Sequence, residues 1–143
     1  MKTTLLLLIL AFTLSLQAQE LSKEIYTAFK DDTVATLQKA SQYQNLNICY
    51  EAGNSSYSLL SLSIKTNAEN CFTQLLSEKE IDLNLACTGK TPLHYAAKYG
   101  RLEMLKKLID AGADISKAYK GRTPLDYAKK YENTELIEYL EQL

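Results

Sequence analysis

Residues 84–116 read N-L-A-C-T-G-K-T-P-L-H-Y-A-A-K-Y-G-R-L-E-M-L-K-K-L-I-D-A-G-A-D-I-S. A weaker copy, K-G-R-T-P-L-D-Y-A-K-K-Y-E-N-T-E-L-I-E-Y-L, begins at Lys120, and its T-P-L lies 32 residues after the first. The unit can be read physically. Thr88-Gly89 marks a tight turn, because glycine reaches positive φ without steric cost. Thr91 is an N-cap whose hydroxyl can satisfy a free amide of the first helical turn. Pro92 occupies the first helical position, where its missing N–H costs nothing. Leu93, Ala96 and Ala97 give a small-residue face for close packing, and Gly100 ends the helix. Leu102, Met104, Leu105, Leu108 and Ile109 form the apolar stripe of a second helix, which Gly112 ends. Recurrence of such a pair at this period predicts a solenoid.

The segment Thr91-Pro92-Leu93-His94-Tyr95-Ala96-Ala97 resembles the signature of the ankyrin repeat family. The resemblance implies an all-α, ankyrin-type solenoid of about four helix–turn–helix repeats with short β-hairpin loops. It also implies a binding protein rather than an enzyme, since a solenoid has no built-in catalytic cavity. The repeats are placed at about 20–45, 46–83, 84–115 and 116–143. In the last, Asp126 stands where the pattern has histidine and Glu132 where it has the helix-ending glycine. Its exposed Glu135, Glu138 and Glu141 suit a terminal capping repeat. In the second, Ser58 replaces the capping threonine, and Cys71, Phe72, Leu75 and Leu76 fall at core positions. Its hairpin, residues 49–57, is longer than those downstream. Residues 25–32 and 34–40 read as a degenerate first helix pair. Four units exceed the roughly three needed to bury a continuous core.

Lys2 and the apolar run at residues 5–16 predict a cleavable signal peptide over residues 1–18, cut after Ala18. Twelve residues give roughly 18 Å of helix, too short for a bilayer core of about 30 Å. The expected location is therefore periplasmic or secreted. The remaining 19–143 form one domain, with fifteen basic and seventeen acidic side chains once Lys2 is removed. That balance suggests neither nucleic acid nor a membrane surface as partner, and no later segment is apolar enough to span a membrane.

His94 is the sole histidine. The resemblance implies that it is structural, bonded to backbone and to the neighbouring threonine. One histidine makes no metal-ligand cluster, and no phosphate loop, nucleophile elbow or paired-carboxylate motif is present. The expectation is no enzyme activity, no cofactor and no metal. Of the three cysteines, Cys71 aligns with Met104 and reads as a buried small hydrophobe. Cys49 and Cys87 fall early in adjacent hairpins, which stack side by side in ankyrin-like solenoids. A disulfide between them is one reading. Two free thiols is the other, and it is preferred because the two positions align one residue out of register.

Ankyrin-like proteins bind partners through hairpin tips and the exposed positions of their first helices. Transferred residue by residue, the position after the A-A pair is Lys98, with Lys130, Lys65 and Lys30 as equivalents. The next is Tyr99, then Tyr131, with Thr66 and Asp31 upstream. The position before the cap is Lys90, Arg122 and Tyr57, and the last hairpin adds Tyr119 and Lys120. Tyr95 and Tyr127 are expected to pack between repeats. The pattern predicts a concave Lys- and Tyr-rich groove for an acidic protein surface. Tyrosine and arginine are enriched at interface hot spots, whereas lysine is usually solvated. The expected protein is a monomer that binds another protein. A structural or self-associating envelope solenoid, or an inhibitor or immunity protein for a secreted or envelope enzyme, is the alternative.

Overall fold

The structure, a computed structural model, describes residues 19–41 and 45–143. The expected signal peptide at 1–18 lies outside the described residues. Among the described residues, eight helices stand in pairs: α1 (Lys23–Lys30) with α2 (Val34–Ser41), α3 (Leu59–Thr66) with α4 (Glu69–Leu76), α5 (Pro92–Tyr99) with α6 (Leu102–Asp110), and α7 (Pro124–Lys130) with α8 (Thr134–Leu140). The first helices α1, α3, α5 and α7 pack in chain order as an inner row. The second helices α2, α4 and α6 do the same as an outer row. This is the solenoid the repeat period predicts, with four repeats.

The core lies between the rows. In α3 every residue from Leu59 to Ile64 is buried, and in α5 every residue from Pro92 to Ala97. These central inner helices have a repeat on each side. Leu93, Leu105, Leu108 and Phe72 are fully buried. Each contributes roughly 1.5–3 kcal/mol relative to an exposed side chain. At the C-terminal end the burial thins, and in α8 Leu136 is the buried residue.

Each helix pair turns through one residue of positive φ: Asp32 (48°), Asn67 (58°), Gly100 (68°) and Glu132 (56°). The turn survives the loss of glycine in three repeats of four, although a side chain there is strained. Thr88 (54°) and Gly89 (89°), like Lys120 (51°) and Gly121 (73°), form two-residue hairpin turns with positive φ at both centres. Cys87 pairs with Lys90, and Tyr119 with Arg122, across these turns. A Cβ on Gly89 would lie 2.2 Å from the Tyr119 ring, so glycine here lets the fourth hairpin rest on the third.

The first two repeats keep the expected hairpin, longer than those downstream, and add one strand to it. The long second hairpin forms two strands, β2 (Tyr50–Ala52) and β3 (Ser55–Tyr57), paired antiparallel. A strand preceding α1, β1 (Gln19–Glu20), adds in parallel to β2. The Leu21 amide continues this pairing by donating to the Glu51 carbonyl at 3.2 Å. The longer hairpin offers β2 a free edge, and the chain entering α1 fills it.

Contacts between repeats are polar at both margins. The Asp32 carboxylate accepts from the amides of Asn70 (3.0 Å) and Cys71 (2.9 Å), capping α4, whose N-cap Ala68 has no side-chain oxygen. Asn47 accepts from the Asp82 amide at 2.7 Å, and Asn84 from the Asp114 amide at 2.8 Å. The preference for two free thiols is overturned: Cys49 and Cys87 form a disulfide with Cα atoms 5.6 Å apart. The one-residue offset persists, since Tyr50 pairs with Tyr57 as Cys87 pairs with Lys90, yet Cys49 just ahead of β2 still lies within bonding reach of Cys87. Cys71 is free and buried.

Candidate protein-binding groove

Of the residues singled out in the first helices and hairpins, all the tyrosines and every lysine except Lys30 form one connected array of cations and rings. The Lys65 ammonium donates to the Tyr57 hydroxyl at 2.8 Å and sits 4.3 Å from that ring's centroid. Tyr57 meets Tyr95 at 5.4 Å, and Tyr95 stacks on Tyr99 at 6.3 Å. Lys98 then lies 5.1 Å from the Tyr99 centroid and 5.7 Å from that of Tyr131. Lys130 reaches Tyr131 at 5.5 Å, and Tyr131 stacks on Tyr127 at 6.2 Å. In the hairpins, Lys90 lies 5.9 Å from Tyr95 and 4.6 Å from Tyr119, and Lys120 lies 5.4 Å from Tyr119.

The sequence pattern explains this geometry. Tyr95 and Tyr99, four residues apart, share a face of α5. Tyr127 and Tyr131 repeat the arrangement in the last repeat. Tyr95 and Tyr127 are buried between repeats, as expected, while Tyr99 is half-buried and Tyr131 exposed. The inner tyrosines thus anchor the outer ones, and the outer ones hold Lys98 and Lys130.

Electrostatics follow from this packing. Burial pushes the Tyr95 hydroxyl up to about 12. Burial also acts to raise Tyr57, but the hydrogen bond from Lys65 and the charges of Lys65 and Lys98 outweigh it and bring Tyr57 below its ordinary value. Among the described residues the salt bridges are Lys106–Glu103 and Lys129–Glu141. Lys65, Lys90, Lys98, Lys120, Lys130 and Arg122 are therefore without an acidic partner there. An ammonium held by a ring keeps N–H donors for a further partner.

Two positions behave differently from the pattern. Lys30, the first-repeat equivalent of Lys65, is exposed and joins none of these tyrosines. The Arg122 side chain is exposed, and its carbonyl serves the scaffold by accepting from His94 Nε2 at 3.0 Å. His94 Nδ1 accepts from the Thr91 amide at 3.2 Å and lies 2.8 Å from the Thr91 hydroxyl. A carbonyl can only accept, so Nε2 carries the proton. Burial, with a smaller contribution from Lys90, lowers the His94 pKa against the raising effect of Arg122.

Sequence reasoning missed a cavity of about 780 Å3 where the ladder ends. It opens between α1, β2 and α3, with Leu21, Leu62 and Tyr26 on its walls and Lys23 and Lys65 among its lining residues. Tyr26 is 51% exposed. The one signal is Tyr26 on the polar side of a degenerate helix, and the alignment that pairs Lys30 with Lys98 sets Tyr26 against His94, a scaffold position that does not point to a cavity. Among the described residues, no three of His, Cys, Asp and Glu converge to hold a metal ion. No helix there is long and apolar enough to cross a membrane.

A family model described as ankyrin repeats (3 copies) matches residues 25–119 and residues 60–142. No curated protein matches the chain.

Proposed function

The chain belongs to the ankyrin repeat family, whose members serve as protein-interaction scaffolds, and from that premise we propose that it is a non-enzymatic module that binds an acidic protein surface in an exported compartment. One observation carries the reading. Five lysines stand against tyrosine rings along the inner helices and hairpins, and none has an acidic partner among the described residues. A solvated lysine face has no need of rings to fix it. Rings that hold cations in place lower the entropy lost when a carboxylate docks. Binding is by complementarity of shape and charge, with no covalent step.

Export is supported by two features. Disulfides persist in oxidising compartments, and Cys49–Cys87 joins adjacent repeats. The apolar run at residues 5–16 has the length of a signal peptide, and cleavage after Ala18 leaves β1 intact. Location is periplasmic or extracellular on this reading. Mass measurement of the exported protein should find an N-terminus at Gln19, and a retained residue 1 would refute the cleavage.

The binding test compares wild type with Lys98→Glu/Lys130→Glu in capture from the exported fraction. The expected result is loss of one or more acidic proteins from the captured set. An unchanged set refutes the groove. Sedimentation of the wild type alone should give the monomer mass. A Lys98-dependent larger species would favour self-association, with the glutamates of α8 as the acidic surface.

A further inference from the structure

The spacing of the groove lysines bears on the conformation of the partner, an inference that rests on the groove being the binding surface. Lys65, Lys98 and Lys130 occupy equivalent places at the ends of α3, α5 and α7. The Lys98 and Lys130 ammonium groups lie 5.7 and 5.5 Å from the same Tyr131 centroid. They are therefore no more than about 11 Å apart, in keeping with the ~8–10 Å between packed helices. A polyproline II segment rises about 3.1 Å per residue with three residues per turn, so residues i, i+3 and i+6 share one face at steps of roughly 9 Å. A β-strand of similar rise puts i and i+3 on opposite faces. The partly exposed rings of Tyr99 and Tyr131, beside Lys98 and Lys130, suit a polyproline II ligand, which docks in aromatic-lined grooves.

The ladder also has a defined end. Beyond Lys65 the tyrosine position is filled by Thr66, and the surface opens into the 780 Å3 cavity, where Leu21, Leu62 and Tyr26 supply apolar wall beside the polar side chains of Ser22, Lys23 and Glu51. We propose that the groove takes an acidic polyproline II segment with carboxylates at every third residue, on Lys65, Lys98 and Lys130, and a bulky apolar side chain one step beyond, in that cavity. The ladder fixes the register by charge, and the cavity fixes it by fit.

The test uses the oxidised protein and labelled synthetic peptides, with binding read by fluorescence anisotropy at low salt. One peptide carries three glutamates at every third position in a proline background, and two longer ones add a leucine three residues beyond either end. Controls are the same composition with the glutamates contiguous, and an alanine-rich helix with glutamates seven apart. The period-three peptide should bind at least tenfold tighter than either control. Leucine at one end should add a further several-fold, and Tyr26→Ala should remove that gain while leaving the parent peptide unaffected. Equal binding of the contiguous or helical peptide overturns the conformation, while the acidic groove itself stands. A leucine without effect overturns the cavity assignment. If no acidic peptide binds, or if binding ignores Lys98→Ala/Lys130→Ala, the groove reading fails as well.

Discussion

The Lys98 ammonium lies 5.1 Å from the centroid of Tyr99 in its own helix and 5.7 Å from that of Tyr131 in the next repeat. One cation thus joins the inner helices of the third and fourth repeats. Lys98→Gln keeps a polar end but removes the charge. It should lower stability by about 0.5–1 kcal/mol, the range for a partly exposed cation–π contact. The measurement is a urea midpoint that falls with an unchanged m value. Lys120→Gln, at an exposed hairpin position against one ring, should leave the midpoint where it is.

The Cys49–Cys87 disulfide closes a sequence separation of 38. The chain-entropy relation for a loop of that size gives a stabilisation of about 4 kcal/mol. Cys49→Ser/Cys87→Ser should therefore lower the urea midpoint by more than any surface change described here, and reduction of the wild type should match it. Cys71 provides an internal control. It is fully buried, and burial, with the nearby Asp32, pushes its thiol up to about 12. It should resist thiol reagents in the native protein and react once the chain is unfolded. Native-state labelling at Cys71 would contradict its place in the core.

How much of the fold and groove was legible in the sequence varies along the chain. Thr91, Pro92 and Gly100 mark a helix through local rules, and the structure starts and stops α5 at those residues. The Lys98–Tyr99–Tyr131 contact also follows from repeat alignment, because stacking equivalent residues places them side by side. Contacts that break the repeat were hidden. Nothing in Gln19-Glu20 alternates, and β1 exists because the long second hairpin has a free edge. Asp32 looks like a loop residue until α4 is placed beside it with its amides uncapped. The Asn47–Asp82 and Asn84–Asp114 contacts do recur from repeat to repeat, but they join residues 35 and 30 positions apart, which no local pattern marks. The cavity beside Tyr26 depends on α1, β2 and α3 meeting where alignment was weakest.

Glu132 and Gly100 hold the same turn in successive repeats, at φ of 56° and 68°. Only glycine takes this conformation without strain, and the left-handed penalty for other residues is about 1–2 kcal/mol. Part of that is offset by the greater unfolded-state freedom of glycine. Glu132→Gly should therefore stabilise by roughly 0.5–1 kcal/mol. Gly100→Ala should destabilise by more than that, because its Cβ would also lie 3.0 Å from Asn133 Oδ1. Thermal melts of both variants should move in opposite directions. A loss of stability in Glu132→Gly would show that the glutamate side chain has a stabilising role.

His94 and Asp126 occupy the same position in adjacent repeats and should give the protein two separate acid limbs. His94 is fully buried, and burial holds its pKa below the ordinary 6.5. In the unfolded chain it gains a proton as the pH falls through 6.5, while in the folded chain it remains neutral. The unfolded state then binds more protons, so stability is full above 6.5 and declines below it until the folded value is reached. Asp126 accepts from the Thr123 amide at 2.8 Å and its hydroxyl at 2.9 Å, and these bonds lower its pKa below the ordinary 3.8. Its contribution is present above 3.8 and is lost only in stronger acid. Urea titrations should show a first decline beginning near pH 6.5 and a second below 3.8. His94→Asn should cost about 1–3 kcal/mol at neutral pH, through loss of buried hydrogen bonds. It should also flatten the first limb and leave the second intact. Asp126→Asn should weaken the second limb alone. A first limb that persists in His94→Asn would mean that another group carries it.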